Sequence, residues 1–161
     1  TDRFDAAIAQ SGVYDLEAFF GSSDAGTVVA DQFGGPPWRA RPPAHSPIGH
    51  PSPLFAAGLL PPPDTTTLAP TTALSASAPL THAHRIDTPM LLLHGTADHR
   101  AAPAQADMLY RRLQRRSRPV EYVRYPGVGH AFDGATPTQD IDRLARLYEF
   151  FARYATPSSP R

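Results

Sequence analysis

The sequence predicts an α/β fold built on a small, mostly parallel sheet. Three observations carry that expectation. Residues 6–9, 90–94 and 120–125 are short apolar or β-rich runs of strand length. Helical periodicity follows the second and third of these runs, giving the order strand, broken region, strand, helix, strand, helix. Strands that alternate with helices favour parallel pairing, because a parallel connection has to cross over a face of the sheet.

The elements read as follows. Residues 6–9 are a short apolar run closed by polar residues and Gly12, which fits a parallel strand. Residues 15–20 suit a turn of helix stopped by Gly21-Ser22-Ser23, and residues 27–33 a second short helix ended by Gly34-Gly35-Pro36-Pro37. Of the 19 prolines, twelve fall within residues 36–79. Proline removes a backbone donor and fixes φ, so residues 51–77 are expected to be a disordered, Pro/Thr/Ala-rich insertion. No basic residue flanks Pro61-Pro62-Pro63, which argues against a ligand for a proline-recognition domain.

Regular structure resumes before Met90. The run Met90-Leu91-Leu92-Leu93-His94 reads as a strand buried on both faces. Pro103 suits the first position of a helix whose apolar face is Ala106, Leu109, Tyr110 and Leu113. Arginines at 111, 112, 115 and 116 complement the negative end of its dipole. Residues 120–125 form the third strand. Thr136-Pro137-Thr138-Gln139 is a capping box, and Ile141, Leu144, Tyr148, Phe151 and Ala155 recur at helical spacing. That stripe is expected to pack on the sheet, widened by Leu147, Phe150 and Tyr154. The expected organisation is a partial domain at 1–50, the insertion at 51–77, its continuation at 78–155 and a disordered tail at 156–161.

Composition narrows the function. A chain of 161 residues is the size of one domain, and its formal net charge of zero points away from nucleic acid. All 15 basic residues are arginine, so lysine chemistry is excluded, and the absence of cysteine excludes thiolate catalysis and disulfides. No apolar run approaches the roughly 20 residues of a membrane-spanning helix, so no membrane partner is expected. Thr1-Asp2-Arg3-Phe4 has no signal-peptide pattern and reads as the interior of a longer sequence.

Two turns carry the chemistry. Leu91-Leu92-Leu93-His94-Gly95-Thr96-Ala97-Asp98 ends a strand on an aspartate, and Tyr125-Pro126-Gly127-Val128-Gly129-His130 ends the next on a histidine. Reacting groups in open α/β sheets sit at the carboxyl ends of strands. An aspartate there can fix the tautomer of a histidine, which in turn can act as general base. Taken singly, Asp98 would more often cap a turn and His130 would more often be an ordinary surface or core histidine. The joint pattern is far more specific. His82 and His84 have metal-like spacing but no third ligand in a recognised pattern, so no metal or cofactor is expected. His94 reads as a packing or supporting residue, and His99 and Arg100 as solvent-exposed neighbours of Asp98. The triad order serine, acid, histidine lacks its first member, because no G-x-S-x-G motif occurs in the 161 residues. Gly21-Ser22-Ser23-Asp24-Ala25 fails that pattern, having Ala25 where the second glycine should be.

These residues resemble the C-terminal part of the α/β-hydrolase catalytic domain of the prolyl oligopeptidase family of serine peptidases, especially its acylaminoacyl-peptidase-like branch. Thr1–Ala7, Phe19–Gly26, Gln32–Trp38 and Ile86-Asp87-Thr88-Pro89 add to the two motifs. The similarity covers about residues 1–48 and 79–154. It implies that Asp98 is the triad acid and His130 the base. It also implies a peptide substrate and a nucleophilic serine upstream of Thr1. The remaining partners it implies are the N-terminal remainder of the catalytic domain and the β-propeller that often precedes it. Alone, the chain is then expected to be inactive. The insertion, Ala102-Pro103 in place of Val-Pro, and the missing serine depart from the family pattern. Two alternatives stand beside this reading. One is an esterase or dienelactone-hydrolase-like fragment; the other is a non-catalytic truncated homologue acting as a binding module.

Overall fold

The structure is a computed structural model that describes residues 4–33, 36–37 and 70–154. Its sheet has three parallel strands in the order β1 (Ala7–Gln10), β2 (Met90–Gly95) and β3 (Val120–Tyr125). Register runs from Ala7 opposite Met90 to Gln10 opposite Leu93, and from Met90 opposite Val120 to Gly95 opposite Tyr125. Helices α1 (Leu16–Ser22), α2 (Thr27–Phe33) and α3 (Pro70–Ser77) lie between β1 and β2 in the chain. Helix α4 (Ala104–Arg115) connects β2 to β3, and α5 (Pro137–Tyr154) follows β3.

The central strand organises the core because it alone is buried along its whole length. Side chains alternate across a strand, so Met90 and Leu92 join one apolar cluster with Ala106, Leu109 and Leu113 of α4. Leu91 and Leu93 join the other, with Tyr125, Val128, Phe132 and Phe150. The outer strands are only partly buried. At the end of β1, Ser11 adopts a left-handed φ of 49° and turns the chain toward α1.

Local signals set the helix ends. Asp15 caps α1 by accepting from the Ala18 N–H at 2.9 Å. Pro103 immediately precedes α4, and Arg112 and Arg115 stand in its last turn. At α5 the capping box is formed in both directions: the Thr136 N–H donates to Gln139 Oε1 at 2.8 Å, and the Gln139 N–H to Thr136 Oγ1 at 3.3 Å.

Three findings depart from the sequence reading. Residues 70–77 of the expected disordered insertion are helical, with Leu74 fully buried against Phe19 and Val29. Proline is compatible with a first helical turn, and the Ala-containing stretch beyond it continues the helix. The remainder of the insertion and the tail at 156–161 lie outside the described residues. The second departure concerns α5. Its expected core stripe points outward: Ile141, Leu144, Tyr148 and Phe151 are exposed, Tyr148 by 78%. The neighbouring stripe faces the sheet instead, with Phe150 2% exposed and Leu147 and Tyr154 packed beside it. The third is Gln105, a polar residue buried on the inner face of α4. Its Oε1 accepts from the Tyr14 and Asp15 N–H groups, each at 2.8 Å, and its Nε2 donates to the Asp15 carbonyl at 3.0 Å. One side chain thereby ties the loop after β1 to α4.

Candidate active site

The carboxyl ends of β2 and β3 are locked together backbone to backbone. The Thr96 N–H donates to the Tyr125 carbonyl at 2.9 Å, and the Ala97 N–H to the Val128 carbonyl at 3.0 Å. Gly95 makes this approach possible, since a Cβ there would lie 2.1 Å from the Val128 oxygen. Gly127, with φ of +74°, turns the chain after Pro126 and donates its N–H to Thr96 Oγ1 at 3.0 Å. The Gly129 N–H then donates to the Asp133 carbonyl at 2.8 Å. Phe132 anchors the far side of the loop, packed edge-on against Tyr125 with its ring 4.7 Å beneath the Arg143 guanidinium.

This framework brings Asp98 and His130 together. His130 Nδ1 stands 3.0 Å from Asp98 Oδ2. The carboxylate is fully buried, whereas the His130 side chain is 42% exposed. Among the described residues, His130 Nε2 has no hydrogen-bond partner. The two carboxylate oxygens divide their work. Oδ1 accepts from the Arg100 N–H at 2.9 Å and the Ala101 N–H at 2.8 Å, forming the turn that a lone aspartate would make here. Oδ2 faces His130 Nδ1 at 3.0 Å and, on its other side, His94 Nε2 at 3.1 Å. Asp98 thus forms the expected turn through Oδ1 and meets His130 through Oδ2.

The other candidates fall into place around this pair. His94 is buried at the end of β2, with Nε2 2.7 Å from the Ala101 carbonyl and 3.1 Å from Asp98 Oδ2. Arg100 is exposed and reaches Asp24, in the turn between α1 and α2, through a side-chain ion pair. The Arg100 guanidinium holds the Asp24 carboxyl below its usual range; His99 and His130 add smaller attractions. The Asp24 N–H also donates to the His99 carbonyl at 3.0 Å, so that turn borders the site. His82 Nε2 is bonded to the Ala76 carbonyl at 2.6 Å and His84 Nδ1 to the Thr81 carbonyl at 3.0 Å. No cluster of three metal-ligating side chains occurs among the described residues.

A histidine general base needs its far nitrogen accessible and its near nitrogen held by a buried acid. Here His130 Nδ1 is held by the buried Asp98 carboxylate, and the His130 side chain is 42% exposed.

Known proteins give the arrangement a context. Among curated proteins, the uncharacterized peptidase YuxL of Bacillus subtilis (strain 168) is 27% identical over 96% of this chain and 19% of its own length. Dipeptidyl aminopeptidase BIII of Pseudoxanthomonas mexicana is 37% identical over 37% of this chain and 9% of its own. Among solved structures, the acylaminoacyl peptidase of Pyrococcus horikoshii superposes on 100% of this chain and 22% of its own, with a TM-score of 0.69 at 19% identity. A puromycin-hydrolyzing peptidase of Mycobacterium tuberculosis superposes on 100% of this chain and 20% of its own, with a TM-score of 0.68 at 24% identity. The fold is thus part of an α/β-hydrolase fold, and the chain spans about a fifth of the length of YuxL and of these two structures. Residues 64–158, more than half of the sequence, match the family model described as the prolyl oligopeptidase family. On that match, the chain belongs to the prolyl oligopeptidase family.

Proposed function

We propose that Asp98 and His130 are the acid and base of a Ser-His-Asp triad that hydrolyses peptide bonds. Its nucleophilic serine comes from a segment outside these 161 residues. The observation that carries the reading is the 3.0 Å contact between His130 Nδ1 and a fully buried Asp98 Oδ2, on a ring whose Nε2 is unengaged among the described residues. Asp98 holds the Nδ1–H form of His130, so Nε2 presents a lone pair. That lone pair takes the serine hydroxyl proton as Oγ attacks the scissile carbonyl. The resulting imidazolium then protonates the departing amine. A water repeats the sequence on the acyl-enzyme, which regenerates the serine.

In this reading, residues 1–50 and 78–155 are two parts of one catalytic domain. The partners are the rest of that domain, a β-propeller and a short peptide substrate. Membership of a peptidase family favours peptides over esters.

A fluorophosphonate probe tests the proposal. The 161-residue chain is expected to remain unlabelled, because it holds no G-x-S-x-G serine. A longer polypeptide that includes the serine is expected to be labelled and to cleave peptidyl anilides. His130→Gln in that polypeptide should reduce both by about 10³-fold or more. Labelling of the 161-residue chain, or full activity of the His130→Gln protein, would overturn the assignment.

A further inference from the structure

We infer that His94 is a positioning residue for the Asp98–His130 pair, acting through an uncharged imidazole that donates from Nε2; the inference rests on the triad reading above. His94 is 1% exposed and sits on the last turnward position of β2 before Gly95. Its Nε2 faces two acceptors, the Ala101 carbonyl at 2.7 Å and Asp98 Oδ2 at 3.1 Å. Two oxygens at that range require a proton on Nε2. Its Nδ1 is buried with no hydrogen-bond partner among the described residues. A proton there would be an orphaned buried donor, so Nδ1 carries the lone pair and the ring is the neutral Nε2–H tautomer.

This ring acts on Asp98 in two ways. The stronger is through residue 101, whose N–H donates to Asp98 Oδ1 at 2.8 Å while its carbonyl accepts from His94. His94 therefore anchors, from the strand, the residue that orients the carboxylate. The second is direct: the Nε2–H dipole lies beside Oδ2, the oxygen that His130 uses. In a fully buried setting such a dipole acts with little screening. His94 touches neither His130 Nε2 nor any reacting atom, and its part is to keep Oδ2 aimed.

Nitrogen-15 and proton NMR of the histidine rings of the 161-residue chain provides the test. His94 is expected in the Nε2–H form; an Nδ1–H form would overturn the inference, since Nε2 could then not donate. The His130 Nδ1–H signal reports the bond to Asp98. In His94→Asn, whose amide is too short to reach the Ala101 carbonyl, that proton should exchange with solvent roughly tenfold faster, the effect of losing one hydrogen bond. His94→Gln, whose amide reaches farther, should restore the slow exchange. A folded His94→Asn protein with unchanged His130 exchange would refute a positioning role, because a purely structural loss lowers stability without moving this signal. If His94→Asn does not fold, the His94 tautomer in the unsubstituted chain decides the matter. A different result, no hydrogen-bonded His130 Nδ1–H in the unsubstituted chain, would count against the Asp98–His130 pairing itself.

Discussion

Replacing Gly95 with alanine tests whether the two catalytic-type turns are seated directly on one another. The new Cβ would lie 2.1 Å from the Val128 oxygen, 2.6 Å from its carbonyl carbon and 2.9 Å from the Gly129 oxygen. Favourable separations begin at about 3.5 Å, so the turn has to retreat by more than about 1 Å. The obstacle is backbone, which cannot rotate away as a side chain would. Retreat stretches the Ala97 N–H to Val128 carbonyl bond, now 3.0 Å, beyond hydrogen-bonding range. It also carries His130, two residues further on, away from Asp98. Overpacking of this kind costs about 1–3 kcal/mol and the lost hydrogen bond about 0.5–1.5 kcal/mol, so Gly95→Ala should destabilise by roughly 2–4 kcal/mol. With a urea m-value of about 1–3 kcal/mol per molar, the unfolding midpoint should fall by about 0.7–4 M. The His130 Nδ1–H signal should disappear at the same time. An alanine variant with the original midpoint and an intact His130 signal would refute the claim that backbone contact sets the spacing of the pair.

Other perturbations probe the rest of the fold. Gln105→Ala strips partners from two N–H groups and one carbonyl around Tyr14 and Asp15; it should cost about 2–4 kcal/mol in urea unfolding. Phe150→Ala should cost about 3–5 kcal/mol, whereas Tyr148→Ala should fall within about 0.5 kcal/mol of the original. Equal losses at the two sites would mean that the faces of α5 are misassigned. Burial pushes the Tyr14 phenol up to about 12 from its ordinary 10. A phenol that holds its proton more tightly when folded contributes fully below pH 10, and the contribution is lost as pH rises toward 12. The alkaline loss from Tyr14 should be on the order of 2–3 kcal/mol, and stability measured across pH 10–12 should fall less steeply in Tyr14→Phe.

The sheet was legible because its strands are short, β-rich or apolar, and bounded by Pro, Gly and charge. The start of α5 was legible because Thr136 and Gln139 cap each other over three residues, a local signal. The buried face of α5 was not. The stripe through Ile141, Leu144, Tyr148 and Phe151 and the stripe through Leu147, Phe150 and Tyr154 are both apolar, and periodicity cannot say which one meets a sheet. Gln105 escaped notice because its partners lie about 90 residues earlier in the chain. Pro-rich composition around Pro61–Pro63 masked the helix that begins at Pro70. The proximity of Asp98 and His130 was more legible, since each follows its own strand, and parallel neighbours put those strand ends side by side. His94 left one clue, a polar residue at the end of an otherwise apolar strand.

Asp98 gives one oxygen to the shape of its loop and the other to the ring of His130, so fold and chemistry can be separated by exchanging a single atom. In Asp98→Asn, the amide oxygen can keep the Arg100 and Ala101 N–H groups while the amide nitrogen turns toward the histidines. That nitrogen is a donor and meets a donor at His130 Nδ1. The ring has to move its proton to Nε2, which removes the lone pair a base would use. The expected outcome is a loop of unchanged backbone shape with His130 in the opposite tautomer, visible in the nitrogen-15 shifts. A variant that kept the original tautomer would mean that Asp98 does not dictate it. The polarity of this corner is thus written in one heteroatom.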